Sequence, residues 1–266
     1  MHLIMNGALG RMGRRIIALA FEDASISLAA AVDAGQPDLV GKDIGEIIGT
    51  GTLGVKLARS LPEVITHGDV VVDFTSPDAI LDTASICGKA GIPLVVGTTG
   101  LAKNRLSEFR NLVANIPCVL APNMSVGVNV LFKLASEAAA ILGSEYDVEV
   151  SEIHHRFKKD APSGTAIRLA EVVAEALNRN LDTDAVYGRK GMTGERTATE
   201  IGIHALRAGD VVGEHTVTFG TIGERIELTH RAHSRDALAK GAIRAAKFAI
   251  ASLPGLYDMQ DVLGLK

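Results

Sequence analysis

The first half of the chain alternates short apolar runs with stretches of helical periodicity. Five apolar runs predict buried strands, at residues 3–6, 27–32, 69–74, 92–96 and 117–120. The spacing between them predicts helices at 11–21, 77–90 and 103–114, the second of them opened by Pro77. Repeated β-α units with apolar strands predict a parallel sheet covered by helices on both faces. The Gly-rich segment 35–54 interrupts this rhythm, and we expect a loop or insertion without a clear helix there.

The second half has a different pattern. Helical spacing predicts helices at 126–142, 166–177 and 237–251. Alternation predicts a half-buried strand at 146–153, and three further strands follow at 199–207, 211–221 and 224–231. The separations at 208–210 and 222–223 are typical of hairpins, so the residues themselves predict an open antiparallel sheet.

Composition narrows the function classes. A length of 266 residues allows one large domain or two modest ones. With 47% hydrophobic and 22% charged residues, the chain can bury a sizeable core. A net charge of −4 disfavours bulk binding to nucleic acid or an anionic membrane. No apolar run approaches the ~18 residues that a membrane span needs, and the N-terminus does not resemble a signal peptide. Two cysteines are too few for a disulfide framework, so we expect a cytoplasmic protein.

A glycine-rich turn at residues 7–13 joins the first predicted strand to the first predicted helix. Glycines there let the backbone approach a pyrophosphate, which the helix N-terminus attracts. The spacing is G-x-x-G-x-x-G instead of the standard G-x-G-x-x-G, and a tight turn with no ligand is the alternative. Asp33 lies 20 residues beyond Gly13, at a strand end, where a carboxylate accepts hydrogen bonds from the ribose of NAD. Together these features predict dinucleotide binding.

Histidines and cations crowd residues 154–159, just before a predicted helix. A solvated basic loop is one interpretation. The residues 162–165 begin the helix, however, so its free backbone N–H groups and the cations would form an anion site. An imidazole there suits proton transfer near neutral pH, and an ammonium would stabilise developing negative charge. The loop predicts reduction or protonation of a small polyanionic substrate.

A zinc site is the competing interpretation of the histidines. His154 and His155 are adjacent, so in an extended segment they point apart. His230 and His233 have no cysteine or clustered carboxylates beside them, and we expect no metal. We expect structural roles for the remaining isolated histidines and both cysteines, which are His2, His67, His204, Cys87 and Cys118.

Several motifs resemble those of one family, 4-hydroxy-tetrahydrodipicolinate reductase, also called dihydrodipicolinate reductase. They lie at residues 7–13, 73–75, 97–100, 121–129, 152–166 and 207–215, and the resemblance runs from residue 3 to about residue 263. It implies reduction of the cyclic dicarboxylate 4-hydroxy-tetrahydrodipicolinate with NADH or NADPH, giving tetrahydrodipicolinate and water in lysine and diaminopimelate biosynthesis. The His-His motif is highly specific, whereas the glycine loop alone is not.

The family resemblance also implies an architecture. The fold class is α/β, with a Rossmann-type parallel-sheet domain plus an α+β substrate domain that has an open mixed sheet. The implied boundaries are 1–125 for dinucleotide binding, 126–234 for substrate binding and oligomerisation, and 235–266 for a return to the dinucleotide-binding domain. The implied assembly is a homotetramer built through the mixed sheets.

Site residues carry over position by position. His154 matches the general acid/base, and Lys158 matches the cation that donates a proton. The substrate-binding positions are His155, Gly164 and Thr165. The cofactor contacts are Gly7, Ala8, Leu9, Gly10, Arg11, Met12, Asp33, Gly97, Thr98, Thr99, Ala121, Pro122, Asn123 and Met124.

One position departs from the family pattern. Many relatives carry Arg directly after the acidic residue of the second strand, where it suits a 2′-phosphate; here the residue is Ala34. Because only Arg11 obviously remains nearby, we expect NADH to be preferred. Two other functions stay open: a dinucleotide-sensing regulator or scaffold, and another Rossmann oxidoreductase acting on an amino acid or semialdehyde. The pair His154 and Lys158 argues against the first, and the cationic loop argues against the second.

Overall fold

The computed structural model describes residues 1–266, with Lys103 described by its backbone alone. The chain forms two compact units, Met1–Val126 with Arg235–Lys266, and Gly127–Ser234. The strands are β1 (His2–Asn6), β2 (Ser27–Val32), β3 (Leu57–Ala58), β4 (Val70–Asp73), β5 (Leu94–Val96), β6 (Pro117–Leu120), β7 (Asp147–His154), β8 (Ala185–Tyr187), β9 (Ile201–Arg207), β10 (Gly213–Thr221), β11 (Glu224–Ala232) and β12 (Gly255–Tyr257). The α-helices are α1 (Arg11–Glu22), α2 (Ile44–Ile48), α3 (Ile80–Ala90), α4 (Leu106–Leu112), α5 (Val126–Leu142), α6 (Gly164–Ala176), α7 (Leu181–Asp184), α8 (Asp236–Ile250) and α9 (Met259–Leu263).

The first unit is built on a seven-stranded parallel sheet. Its strand order is β12-β6-β5-β4-β1-β2-β3, the order of a Rossmann-type sheet with β12 added at one edge. The order reverses direction on either side of β1, which places the glycine-rich turn after β1 at the topological switch point. The predicted Rossmann-type parallel sheet is confirmed.

Apolar side chains cover both faces of this sheet because successive strand residues point to opposite sides. Leu3 and Met5 of β1 join one core, to which α1 and α8 contribute. Ile4, between them, joins the other core, to which α3 and α4 contribute. Helix α8 packs directly against the backbone at Met124, after β6. This contact requires glycine at position 241, where a Cβ atom would lie 1.7 Å from the carbonyl oxygen of Met124.

Three details of the first unit differ from the prediction. The segment 35–54 contains a short helix, α2, whose first turn is capped by the Asp43 carboxylate, so the expectation of no clear helix was wrong. Helix α3 begins at Ile80, three residues after Pro77, because a turn closed by the Ala79 N–H on the Ser76 carbonyl precedes it. The short edge strands β3 and β12 had no signal strong enough to predict them.

The second unit carries a five-stranded mixed sheet in the order β11-β10-β7-β9-β8. Strand β10 is antiparallel to β11 and β7, whereas β9 is parallel to β7 and β8. The turn at 222–223 forms the predicted hairpin. The residues 208–210 do not, because β7 lies between β9 and β10. The antiparallel interpretation was therefore wrong, and the mixed sheet implied by the family resemblance is confirmed.

Helices α5 and α6 supply the apolar side chains that pack against this sheet. Helix α5 and its next turn, to Glu145, are long and apolar enough to cross a membrane by length and composition alone, a feature that was not predicted. Its buried side chains, among them Phe132, Ala135 and Ala139, belong to the core of the second unit, as is typical of a core helix.

Candidate active site

The glycine-rich turn after β1 is packed so tightly that side chains are excluded. Gly7 has a φ of 85°, and a Cβ atom there would lie 2.4 Å from the carbonyl oxygen of Phe74. At Gly13 a Cβ atom would lie 2.2 Å from the carbonyl oxygen of Gly7. The start of α1 therefore sits directly on the turn, which leaves its first backbone N–H groups available to an anion.

A cavity of about 630 Å³ adjoins this turn. Gly7, Gly10, Asp33 and Ala34 contribute to its lining, together with Arg59, which follows β3. Arg59 was not predicted as a site residue, because a two-residue edge strand leaves no periodicity that would place it. The cavity brings together the glycine turn and the acidic residue that were predicted to share a dinucleotide.

The remaining predicted cofactor residues differ in their burial and in their distance from the cavity. Leu9 binds the Asp33 carboxylate through its backbone N–H, Ala8 is buried, and Met12 packs against the core. Arg11 is exposed at the first position of α1. Residues 97–99 follow β5 and residues 121–124 follow β6, at the same edge of the sheet but outside the lining of the cavity.

A buried carboxylate, Asp73, organises the carboxyl ends of the strands beside the turn. Its oxygens accept hydrogen bonds from the Asn6 amide at 2.8 Å, the Thr83 hydroxyl at 3.0 Å and the Thr75 hydroxyl at 2.9 Å. The Thr98 hydroxyl also donates to Asp73, at 2.7 Å, and accepts the backbone N–H of Thr75. The Thr98 side chain is therefore engaged inside the protein, and Asp73 ties β1, β4, β5 and α3 together.

In the second unit, the histidine-rich loop leads from β7 into α6. His154 is the last residue of β7, and α6 begins at Gly164, followed by Thr165. Ser163 caps the helix by accepting the backbone N–H of Ala166 at 3.2 Å. The N-terminus of α6 thus follows the loop as predicted.

Glu152 is completely buried beside His154, and no role was predicted for it. His154 Nδ1 contacts Glu152 Oε2, and Arg207 Nη1 lies 3.0 Å from both carboxylate oxygens. The Ser163 N–H donates to the carboxylate at 3.1 Å. A sequence signal existed: Glu152 continues the alternation of Val148 and Val150, so a glutamate stands in the apolar face of β7.

His215 of β10 is paired directly with Glu152 of the neighbouring strand β7. Its ring stands nearly perpendicular to that of His154, with ring centres 5.1 Å apart, and its Nε2 is 3.2 Å from the Ser163 hydroxyl. Burial lowers the pKa of His215 to about 3, helped by the neighbouring His154. His215 is therefore neutral at physiological pH and supports the helix cap as a neutral ring.

The other predicted residues of the loop lie close to His154 along the chain. Lys158 Nζ pairs with the Asp160 carboxylate at 2.9 Å, a contact that was not predicted. The backbone N–H of Lys158 donates to the carbonyl of His155, which closes a turn. His155 Nδ1 is buried and has no hydrogen-bond partner among the residues that the structure describes.

Burial, more than any neighbouring charge, sets the protonation of His154. Desolvation lowers its pKa, Glu152 opposes that shift, and the cations Lys158 and Arg207 reinforce it. The imidazole is consequently neutral near pH 7 and able to exchange a proton. Among the described side chains, no group of three or more His, Cys, Asp or Glu is placed to hold a metal ion, so the zinc alternative gains no support.

Comparison with known families covers nearly the whole chain. The family model described as dihydrodipicolinate reductase, N-terminus, matches residues 1–124, and the one described as dihydrodipicolinate reductase, C-terminus, matches residues 127–263. A 4-hydroxy-tetrahydrodipicolinate reductase of Syntrophus aciditrophicus is 54% identical over 99% of this chain and 98% of its own length. The one from Hahella chejuensis is 53% identical over 98% of this chain and 97% of its own length.

A solved structure supports the fold independently. The dipicolinate-bound dihydrodipicolinate reductase from Paenisporosarcina sp. TG-14 superposes with a TM-score of 0.77 and covers 98% of both chains. Its sequence is 23% identical, so this likeness concerns the fold.

Proposed function

The chain belongs to the dihydrodipicolinate reductase family, and from that premise we propose that it reduces 4-hydroxy-tetrahydrodipicolinate to tetrahydrodipicolinate and water, with NADH or NADPH as reductant. The observation that carries the proposal is a partly buried imidazole, His154, held by Glu152 and followed by Lys158 on the loop that leads into α6. This arrangement suits a small dicarboxylate, because it combines a proton donor with cations and a helix N-terminus. The reaction belongs to lysine and diaminopimelate biosynthesis.

The first unit has the features needed to hold the cofactor. The turn leaves no room for a side chain at Gly7 or Gly13, so backbone alone faces an approaching pyrophosphate, and the adjoining cavity includes Asp33 for the adenine ribose. The bound nicotinamide supplies a hydride. We assign residues 1–125 and the return segment 235–266 to dinucleotide binding, with 97–99 and 121–124 completing the contacts.

The finer cofactor preference follows from charge. Asp33 suits the ribose hydroxyls of NADH and repels a 2′-phosphate, and Ala34 offers no compensating cation. Arg59 lines the same cavity and is exposed, and it forms no ion pair among the described residues. It offsets part of the repulsion, so we propose a preference for NADH without exclusion of NADPH.

The second unit, within residues 126–234, supplies the substrate groups. We propose His154 as the general acid/base and Lys158 as the cation that donates a proton to the reduced product. Gly164 and Thr165 at the start of α6 bind a carboxylate with backbone N–H groups, and His155 adds a further contact. Lys158 must exchange its contact with Asp160 for the substrate, which the exposure of Asp160 permits.

Exposed apolar side chains on the mixed sheet bear on how the subunits assemble. Large apolar side chains are exposed on the mixed sheet and its hairpin, among them Leu206, Ile222 and Ile226. Such side chains are typical of a subunit interface, and we propose a homotetramer formed through these sheets. We propose a cytoplasmic enzyme that binds neither nucleic acid nor membrane, consistent with its net charge of −4.

The deciding experiment is a spectrophotometric assay with enzymatically generated 4-hydroxy-tetrahydrodipicolinate, run in parallel with NADH and NADPH. Oxidation of either cofactor that depends on substrate supports the proposal. Binding of NADH without turnover would instead indicate a dinucleotide sensor. Turnover of amino acids or semialdehydes alone would indicate a different oxidoreductase on the same fold.

A further inference from the structure

The carboxylate of Glu152 is the only described acidic group that contacts the His154 ring. We infer that Glu152 is a positioning residue, which holds His154 by Nδ1 and leaves Nε2 as the atom that exchanges a proton. The inference deepens the proposed function, because it rests on the assignment of His154 as the general acid/base. An imidazole bound by a carboxylate at one nitrogen is fixed in both tautomer and orientation.

Two groups hold the Glu152 carboxylate in place. Arg207 Nη1 lies 3.0 Å from each oxygen, and the Ser163 N–H lies 3.1 Å from Oε1. Arg207 is itself anchored, since its Nη2 donates to the carbonyl of Asp160 at 2.6 Å. A buried carboxylate requires such compensation by charge and hydrogen bonds, and here the donors also fix its orientation.

The other side of the imidazole is kept clear. At Gly213 a Cβ atom would lie only 3.0 Å from His154 Nε2, so glycine leaves space at that nitrogen. Nε2 makes no hydrogen bond to any residue that the structure describes, whereas Nδ1 is held. The geometry therefore distinguishes the two ring nitrogens: one is bound to the protein, and one is left for chemistry.

Four titratable or charged groups face the His154 ring: Glu152 from its own strand, Arg207 from β9, His215 from β10, and Lys158 from the loop. Among these, Glu152 raises the pKa of His154, whereas Lys158 and Arg207 lower it. His215 stays neutral over the working pH range. Removing the charge of Glu152 should therefore lower the pKa of His154 further, an effect that general destabilisation would not produce.

The test compares Glu152→Gln with a matched control, Glu149→Gln. Glu149 lies on the same strand and also contacts a histidine, with its Oε2 2.6 Å from His204 Nε2, but it faces the other side of the sheet. In Glu152→Gln we expect kcat to fall about tenfold to a hundredfold, less than the roughly 10²–10⁴-fold for loss of a general acid–base group. The limb of the pH–rate profile that belongs to His154 should also shift to lower pH.

Proton NMR titration of the His154 ring gives the same information without turnover. We expect a lower pKa of His154 in Glu152→Gln and an unchanged titration in Glu149→Gln. An unchanged His154 titration and pH profile in Glu152→Gln would overturn the inference, even where the wild type proves an active reductase. If the wild type shows no reductase activity but the titration shifts, the proposed function fails and the positioning of the ring stands.

A second measurement covers a variant that fails to fold. Ring ¹⁵N NMR of the wild-type protein distinguishes the two tautomers of neutral His154. We expect the proton on Nδ1, where Glu152 accepts it, and Nε2 unprotonated. A proton on Nε2 would overturn the inference with no substitution at all.

Discussion

The backbone N–H of Leu9 donates a hydrogen bond to the Asp33 carboxylate at 3.0 Å, which ties the glycine-rich turn to the end of β2. The other carboxylate oxygen accepts the Gly35 N–H at 2.8 Å. Each oxygen has a second lone pair, so Asp33 still has acceptor capacity for ribose hydroxyls. Its charge is thus held at a fixed point of the cavity, where it discriminates between a hydroxyl and a phosphate.

We expect the wild type to prefer NADH by about tenfold in kcat/KM. A like-charge pair ~4 Å apart costs on the order of 4 kcal/mol at an effective dielectric of about 20, and solvent screening together with Arg59 reduces that penalty. Ala34→Arg should narrow or reverse the preference, because it adds a partner for the 2′-phosphate. The measurement is kcat/KM with both cofactors in the wild type and the variant.

Arg59→Ala measures how much Arg59 contributes to the binding of NADPH relative to NADH. It should widen the preference for NADH, since Arg59 is the cation beside Asp33 in the cavity lining. Lys89→Ala, at the far end of α3 and outside that lining, should leave the ratio unchanged. A wild type that already favours NADPH would show that the basic residues outweigh Asp33.

His154→Ala and Lys158→Ala should each lower kcat strongly with a modest change in KM. General acid–base groups contribute about 10²–10⁴-fold, and the loss appears in kcat when a group acts mainly in the transition state. Lys159→Ala is the control, because it removes an exposed cation from the same loop. Near-wild-type kcat in both test variants would show that His154 and Lys158 take no part in the chemical step.

Thr165→Val should raise KM more than it lowers kcat. The hydroxyl and the start of α6 are proposed to hold a substrate carboxylate equally in the ground and transition states, and uniform binding appears in KM. Thr165→Ser keeps the hydroxyl and should keep a KM near that of the wild type. An unchanged KM in a folded Thr165→Val protein would place the carboxylate elsewhere.

Local signals were sufficient for most of the fold. Strand β1, the turn at 7–13 and helix α1 were all readable, because a short apolar run, glycines and helical spacing follow one another along the chain. The pairing of β9 was not readable. The residues 208–210 look like a hairpin loop, yet β9 pairs in parallel with β7, more than 40 residues earlier in the chain. Nothing local to a strand specifies such a distant partner.

In the candidate site too, residues that are neighbours in sequence could be predicted, and partners that come from separate strands could not. His154, Lys158 and the start of α6 stood out because they are neighbours in sequence. Glu152 was visible only as an exception to an apolar alternation, and Arg207 reaches it from another strand, 55 residues away. Partners that come from separate strands depend on register, which the hydrophobic pattern leaves open when a sheet is mixed.

Asp73→Ala should lower the free energy of unfolding by about 3 kcal/mol. The change leaves the buried hydroxyls of Thr83 and Thr98 without their acceptor, and each unsatisfied group costs roughly 1–3 kcal/mol before the site relaxes. The Asn6 amide loses one of its two acceptors and keeps the Thr83 hydroxyl. Asp78→Ala, at an exposed position in the turn before α3, should change stability by less than about 0.5 kcal/mol. Urea unfolding measures both, and a loss below about 1 kcal/mol for Asp73→Ala would show that the network is dispensable.

His215 should make the protein acid-sensitive. Its pKa is about 3 in the folded state against an ordinary value of 6.5, so between these pH values the unfolded chain binds a proton that the folded protein does not. The free energy of unfolding therefore falls as the pH drops, by about 1.4 kcal/mol per pH unit for this group, and is independent of its titration above pH 6.5.

His215→Asn removes this titration and keeps a polar partner for the Ser163 hydroxyl. Between pH 7 and pH 5 the wild type should lose about 2 kcal/mol more than the variant, as measured by urea unfolding at each pH. His2→Asn, at an exposed position, should track the wild type because it leaves the buried ring in place. If His215→Asn instead runs parallel to the wild type over this range, the buried ring accepts a proton in the folded state, and the neutral support of the α6 cap is wrong.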